Sequence, residues 1–253
     1  MSHVVTTKAV RADLRDTTST SRKNWDKAFL GGLWIFTLLA IVTLVVLIGT
    51  TLLKGFTRLN PSLVVNFPSP FPEDAGIQAA IFGSIWVVVI SGLVSLFIAL
   101  GTAIYLEEFA DQKSRLNNLI TINIQTLAGV PSIVFGILGL AFVARGWLGW
   151  GFTVGTASAV LTMMVLPVMI VSAREALKAV PSSLREGAFA LGATRWQTIV
   201  KQVLPSAVPG IATGSILGVS RALGESAPLI LLGALAYVSS NPSGLSSDYT
   251  VLP

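Results

Sequence analysis

The sequence predicts an all-α polytopic membrane protein, in which several helices cross a lipid bilayer. Hydrophobic residues make up 53% of the 253 residues, and charged residues make up only 11%. The mean hydropathy is +0.76. A soluble domain of this composition would expose far more apolar surface to water than soluble proteins carry. The apolar runs are continuous rather than alternating, which favours helices over a membrane β-barrel, because each helix satisfies its own backbone amides.

Five apolar stretches are long enough to cross the membrane. A helix of about 20 residues spans roughly 30 Å of hydrocarbon. The first stretch is too long to be the core of a signal peptide, so we expect it to remain as an anchor. The fifth stretch differs from the others because it contains two charged residues, Arg221 and Glu225. The predicted spans are residues 29–53, 79–106, 119–144, 152–173 and 206–237.

The distribution of Lys and Arg predicts which connections face the cytoplasm. With the amino terminus inside, 13 of the 17 cationic residues fall in cytoplasmic segments, three fall outside, and Arg221 lies within the membrane. This bias is the positive-inside pattern. The net charge of +5 therefore reflects topology rather than affinity for nucleic acid. Residues 1–24 are interpreted as a flexible cytoplasmic tail, and residues 25–253 as the transmembrane domain.

A polar passage at residues 174–205 separates the fourth and fifth predicted spans. Ser183 and Glu186 are three residues apart, as are Thr194 and Gln197. Each pair has the form of a capping box, in which two side chains satisfy the first free amides of a helix. The passage is therefore predicted to contain two short helices.

Gly192 and Pro205 are expected to shape the turn between these helices and the exit from it. Gly192 is placed as the left-handed residue that stops the first helix. Pro205 is expected to mark where the second helix ends and the chain re-enters the membrane. A helix–turn–helix of this kind can present apolar side chains to a groove on another protein. The alternative is an interfacial loop that lies on lipid.

The spacing of this passage resembles the coupling motif of the permeases of ATP-binding-cassette importers. That motif reads EAA, three residues, G, nine residues, I, one residue, LP. Gly187 replaces its first alanine, and Gln202 stands where the isoleucine is expected. The resemblance implies that the matching residues dock a cytoplasmic ATPase. These residues are Glu186, Gly187, Ala188, Gly192, Leu204 and Pro205.

Two runs inside the predicted spans are similar to the phosphate importer permeases of the PstA type. They read QTLAGVPSIVFG at residues 125–136 and SRALGESAP at residues 220–228. The resemblance covers the chain from about residue 25 to its end. It implies the helical bundle of a type I importer permease, located in the bacterial plasma membrane. The implied partners are a second, PstC-like permease, an ATPase dimer, an extracytoplasmic phosphate-binding protein and inorganic phosphate, and no cofactor is implied.

The same resemblance implies a sixth span beyond an outer loop that begins near Ser239. This sequence ends at Pro253, so we expect five spans in it and expect Pro253 on the outer side.

Several kinds of chemistry lack their residues in this sequence. It contains no G-x-x-x-x-G-K-[ST] stretch for nucleotide phosphates, so ATP hydrolysis is assigned to a partner. The only histidine, His3, lies in the predicted tail, and the only acid within the predicted spans is Glu225. Paired-carboxylate and Ser–His catalysis therefore have no candidate residues, and no metal site is predicted. The chain is predicted to be a transport subunit and not an enzyme.

Arg221, Glu225 and Ser132 are the candidate residues of the substrate pathway. Arg221 lies about halfway along the fifth predicted span, with Glu225 four residues later and within reach of a salt bridge. Pro228 is expected to bend the helix beside this pair. One interpretation gives the pair contact with an oxyanion, and the other makes it an internal strut. Ser132 either offers its hydroxyl to the anion or caps backbone freed by a kink at Pro131.

A small-residue stripe on the fifth predicted span consists of Gly210, Gly214 and Gly218. Glycines at every fourth residue let two helices approach closely. We therefore predict a tight helix contact there, for which a partner permease is one candidate.

Two other functions stay open from the sequence: a permease for sulfate, molybdate or another solute, and a membrane enzyme or passive scaffold.

Overall fold

The computed structural model describes residues 20–56, 59–71, 73–111, 113–234 and 237–252. Most of the predicted tail, including His3, lies outside these residues. Within these residues the regular secondary structure is helical, apart from one isolated antiparallel bridge that joins Thr153 to Asp248. The described residues form two compact units, one up to residue 60 and the other from residue 61 onward.

The first unit contains one long helix, α1 (Thr20–Phe56). Residues 24–56 of this helix have a mean hydropathy of 2.6 over their most apolar window, and none of that window is buried. Apolar side chains exposed around a whole helix need lipid or another protein to cover them. The predicted first span is confirmed, and it extends a few residues beyond each predicted end.

The second unit is built around three long helices that pack together. After the short α2 (Pro61–Val65), α3 (Gln78–Ile104) runs into a π-helical turn, π1 (Tyr105–Phe109). The other two long helices are α6 (Val154–Lys178) and α9 (Leu204–Leu223). The buried face of α3 is made mostly of Ala, Gly and Ser, which lets its backbone lie close to α6. The core between the long helices includes Val87, Leu161, Met164, Val165 and Met169.

The third predicted span is broken in the middle. Its two parts are α4 (Arg115–Ala128) and α5 (Ser132–Leu138), and α5 continues as π2 (Gly139–Ala144). The two parts meet at an angle of 100°, which is the geometry of a broken span or a re-entrant loop. Pro131 causes the break, because proline has no amide to donate and disfavours helical backbone at the residue before it. The predicted third span is therefore present in two parts, and the kink expected at Pro131 is a sharp break between two helices.

The fifth predicted span begins earlier and ends earlier than expected. Helix α8 (Arg195–Thr198) passes through π3 (Ile199–Val203) into α9 without interruption, giving one helical run of 29 residues. The run ends at Leu223, and a separate short helix, α10 (Ala227–Leu231), follows. Pro228 lies in the first turn of α10, where its missing amide costs nothing. The predicted helix over 206–237 is therefore wrong beyond Leu223.

Residues 237–252 fold back onto the ends of the long helices. The amide of Leu252 donates to Oγ of Ser84 on α3 at 2.9 Å. Tyr249 is 1% exposed, and its hydroxyl donates to the carbonyl oxygen of Leu232 at 3.1 Å. Burial raises the pKa of the Tyr249 hydroxyl, because the charged phenolate would lose its hydration there. This segment fixes the amino-terminal ends of α3 and α6 to the end of the chain.

Candidate functional site

The polar passage forms an elbow between α7 (Ser182–Ala190) and α8. Gly192, at the turn, has φ +81°, as predicted for a left-handed helix stop. The amide of Ala193 donates to the carbonyl of Ala188 at 3.0 Å, and the amide of Gly192 donates to the carbonyl of Phe189 at 2.9 Å. These two bonds make a Schellman motif, which satisfies carbonyls that a helix end leaves free. The turn is therefore closed by its own backbone.

One of the two predicted capping boxes is present. The amide of Gln197 donates to Oγ1 of Thr194 at 3.3 Å, and the amide of Thr194 donates to Oε1 of Gln197 at 2.9 Å. Ser183 and Glu186 make no such box, and the prediction for them is wrong. Helix α7 begins two residues earlier than this box requires, directly after Pro181, so Ser183 already lies inside the first turn. Only the second helix of the elbow is capped by side chains.

The exposed surface of the elbow carries large apolar side chains. Leu191 is 90% exposed, Trp196 is 61% exposed and Phe189 is 48% exposed. Glu186 and Gly187 are also exposed, and Ala188 is half-buried. A groove runs between the two arms of the elbow. Its lining includes Ala188, Leu191, Gly192, Ala193, Gln197 and Lys201.

Leu204 and Pro205 lie where the elbow joins the long helix α9. The second helix of the elbow does not end at Pro205, which corrects the expectation from the sequence. The amide of Leu204 donates to the carbonyl of Ile199, five residues earlier, as in a π-turn. Proline cannot donate an amide, and this widened turn directly before it carries the helix past Pro205. Leu204 is half-buried against the apolar cluster around Val203 and Ala207.

A cluster of charged residues, which sequence reasoning missed, lies where the elbow meets the bundle. Nη2 of Arg185 on α7 lies 2.7 Å from Oε1 of Glu108 at the end of π1. Beside this pair, Nη2 of Arg174 on α6 lies 3.4 Å from Oε2 of Glu107. Nη1 of Arg174 also donates to Oγ1 of Thr121 on α4 at 2.8 Å. Two adjacent glutamates directly after an apolar run were the available signal for this cluster.

The predicted salt bridge between Arg221 and Glu225 does not form. Arg221 lies in the last turn of α9 and is exposed, whereas Glu225 follows the helix end at Gly224 and is half-buried. Because the helix stops between them, Glu225 is not one helical turn beyond Arg221. Among the described residues neither side chain has an ion-pair partner.

The two runs similar to phosphate importer permeases meet in space through α5 and α10. A Cβ atom added at Gly136 would lie 2.7 Å from Cα of Pro228 and 3.0 Å from Cδ1 of Leu231. These distances are too short for two carbon atoms that are not bonded to each other, so only glycine fits at this contact. Each of these helices begins just after a short non-helical segment that interrupts a predicted span. Ser132 lies in the first turn of α5, half-buried, and does not cap it.

The glycine stripe on α9 packs against α6 of the same chain. A Cβ at Gly210 would lie 2.8 Å from Cβ of Ala176, and one at Gly218 would lie 2.7 Å from Cε of Met169. A Cβ at Gly214 would overlap the side chain of Ser172. The predicted tight contact is therefore present, but the suggestion of a partner permease at these glycines is corrected to an internal helix. This packing fixes the elbow, which leads into α9, to the core.

Known proteins resemble this chain in sequence and in fold. The family described as "Binding-protein-dependent transport system inner membrane component" matches residues 98–250. The "Probable ABC transporter permease protein YqgI" of Bacillus subtilis is 31% identical over 218 residues, which cover 85% of this chain and 72% of that protein. The "Phosphate transport system permease protein PstA" of Mycobacterium leprae is 35% identical over 204 residues, which cover 77% of this chain and 64% of that protein.

A further relative and one solved structure extend the comparison. The "Phosphate transport system permease protein PstC" of Mycobacterium leprae is 31% identical over 225 residues, covering 76% of this chain and 70% of that protein. In fold, the inward-facing MetNI methionine ABC transporter matches with a TM-score of 0.53 at 21% identity, over 63% of this chain and 74% of that chain. These relatives are transport subunits rather than enzymes. The chain is thus a multi-pass membrane protein of the binding-protein-dependent transport family, as one of its inner-membrane permease components.

Proposed function

We infer that this chain is the PstA-type permease subunit of an ATP-driven phosphate importer in the bacterial plasma membrane. The observation that carries the phosphate assignment is the similarity to PstA proteins, such as that of Mycobacterium leprae at 35% identity. The two runs that resemble phosphate importer permeases also meet in space at Gly136 and Pro228, at a contact that admits no side chain larger than glycine's. Transport by alternating access requires groups of helices to move as rigid bodies, and such close packing holds helices together within a group.

The elbow is the proposed docking site for the ATPase. Its exposed surface offers apolar side chains beside the exposed acid Glu186, and another protein can cover such a surface. Helix α9 continues directly from the elbow, so a force on the elbow acts on a helix that spans the membrane. The full proposal for ATPase coupling comprises Glu186, Gly187, Ala188, Gly192, Leu204 and Pro205 within the loop 174–205.

The proposed topology has the amino terminus in the cytoplasm, with residues 1–24 as a tail and residues 25–253 as the permease domain. The partners would be a PstC-like permease, an ATP-binding-cassette ATPase dimer and an extracytoplasmic phosphate-binding protein. PstC and PstA proteins both resemble this chain, which supports pairing between two related permeases.

The proposed phosphate pathway passes Arg221, Glu225 and Ser132. Arg221 is an exposed cation at the end of a predominantly apolar helix, where an unpaired charge needs water or an anion. Among the described residues no hydrogen bond or ion pair occupies its guanidinium, which leaves these donors for an oxyanion. Ser132 contributes a hydroxyl at the start of the neighbouring broken helix.

Uptake of labelled phosphate into proteoliposomes containing the complete transporter tests this function. We expect ATP-dependent uptake that excess unlabelled phosphate abolishes and that sulfate or molybdate leaves unchanged. Arg221→Gln is expected to reduce uptake at least tenfold while the complex still assembles. Competition by sulfate or molybdate at equal concentration would instead assign the chain to another oxyanion, and normal uptake by Arg221→Gln would leave Arg221 with a structural role.

A further inference from the structure

Arg185 lies on α7 next to Glu186, but its side chain is bound to the bundle and is mostly buried. Its neighbour Glu186 is exposed, whereas the guanidinium of Arg185 reaches into the bundle. Nε and Nη2 of Arg185 both donate to Oε1 of Glu108, at 3.2 and 2.7 Å. The two side chains are 22% and 9% exposed, so water screens the ion pair only weakly.

The same guanidinium also holds the end of α6. Nη2 donates to the carbonyl of Leu177 at 3.0 Å, and Nη1 donates to the carbonyl of Val180 at 2.8 Å. Carbonyls at the end of a helix lack partners within it and carry partial negative charge. One side chain therefore joins three elements: the elbow helix α7, the end of α6 and the π1 turn that ends α3.

The residues on either side of Glu108 extend these connections. Glu107 pairs with Arg174 of α6, which also binds Thr121 of α4. The guanidinium of Arg195, at the start of α8, lies 5.5 Å from the ring centroid of Phe109, within the range of a cation–π contact. Three consecutive residues of π1, the turn that follows α3, thus each contact an arginine from a different element. The elbow is attached to the bundle through both of its arms.

We propose that Arg185 and Glu108 form a rigid joint that transmits movement of the elbow to α3 and α6. Arg185 is a positioning residue in this proposal, because it touches neither substrate nor nucleotide. The proposal rests on the inferred function, in which an ATPase displaces the elbow. A flexible connection would let α7 follow the ATPase while the long helices stayed in place, and ATP would then be hydrolysed without transport. Fixing α7 to two long helices at one guanidinium prevents that loss.

The ratio of phosphate transported to ATP hydrolysed tests the joint in the complete reconstituted transporter. Glu108→Gln keeps the shape of the side chain and removes its charge, and Arg185→Lys keeps the charge but loses the planar fork. We expect both variants to lower the ratio at least tenfold while the ATPase still copurifies in its normal amount. Glu175→Gln is the matched control, since Glu175 forms an exposed ion pair with Lys178 at 3.0 Å. Its ratio is expected to stay within twofold of the unmodified protein.

A distance measurement tests the same joint without reference to phosphate. The sequence has no cysteine, so spin labels can be attached at Tyr105→Cys on π1 and Ser183→Cys on α7, both exposed positions. We expect the distance between the labels in the assembled transporter to be the same with and without ATP. Adding Glu108→Gln is expected to broaden the distance distribution and to make it depend on ATP.

Two results would overturn the proposed joint. One is an ATP-dependent change of several ångströms between the labels when Glu108 and Arg185 are both present. The other is a normal transport ratio in both Glu108→Gln and Arg185→Lys. An assembly that hydrolyses ATP but takes up no phosphate would contradict the proposed substrate instead, and the distance measurement would still decide the fate of the joint.

Discussion

The chain turns sharply in two different settings, and each turn is stabilised differently. At the elbow, the backbone groups freed by the turn are bound locally, through the Schellman motif around Gly192 and the capping box of Thr194 and Gln197. At the breaks before α5 and α10, no capping side chain binds the first free amides. Those breaks instead depend on the contact between Gly136 and Pro228. A turn in water can thus be stabilised by its own residues, whereas these breaks depend on packing between distant segments.

The largest effect is expected from filling the contact between the two broken helices. Gly136→Leu would place side-chain atoms where the backbone of Pro228 already lies. Overpacking of this kind costs about 1–3 kcal/mol, and more when backbone must move. We expect a clear drop in thermal stability of the purified complex and loss of transport. Gly101→Ala on α3 is the control, because a Cβ there meets no atom within 4 Å. Equal stability of the two variants would contradict the importance of this contact.

A smaller effect is expected from changing the backbone preference at the elbow. Gly192→Ala forces a residue with a Cβ to keep φ +81°, which costs about 1–2 kcal/mol. Its Cβ meets no neighbouring atom, so any loss comes from the backbone alone. Gly187→Ala is the matched control in the middle of α7, where replacing glycine by alanine favours the helix. We expect hydrogen exchange to increase in α7 and α8 for Gly192→Ala and to decrease for Gly187→Ala. The reverse order would exclude a left-handed turn at Gly192.

The smallest effect is expected from removing the side-chain cap. Thr194→Ala eliminates the hydroxyl that accepts the amide of Gln197, at a cost of about 1 kcal/mol. Ser183→Ala is the control, since the corresponding box is absent from the first helix. Hydrogen exchange of the first amides of α8 is expected to rise only in Thr194→Ala. An equal rise in the first amides of α7 for Ser183→Ala would show that Ser183 acts as a cap after all.

The contrast between local stabilisation and packing of distant segments also explains how much of the fold the sequence could predict. Hydropathy alone located the apolar spans, and spacing alone located the elbow, the left-handed Gly192 and the cap at Thr194. These features depend on residues close together in the chain. The cap predicted at Ser183 failed for an equally local reason, because Pro181 already precedes the helix start.

Features that join distant residues were not predicted. Glu108 and Arg185 are 77 residues apart, and nothing in one sequence pairs these two charges. Hydropathy also treats the residues on both sides of Pro131 and of Gly224 as continuing spans, since apolar composition does not change at either break. The glycine stripe was recognised as a contact surface, but a helix face cannot identify its partner. The structure supplied that partner as α6.

The central claim is that the elbow receives an ATPase on the cytoplasmic side, and crosslinking tests it most directly. Leu191 on the elbow and Trp147 before α6 are 90% and 97% exposed. The 25-residue helix α6 lies between the two sites along the chain. The sequence contains no cysteine, so Leu191→Cys and Trp147→Cys each introduce one reactive thiol. We expect the Leu191 thiol alone to crosslink to the ATPase, and the Trp147 thiol alone to react with an impermeant reagent added outside intact cells. Outside labelling of the Leu191 thiol, with no crosslink to the ATPase, would contradict the account.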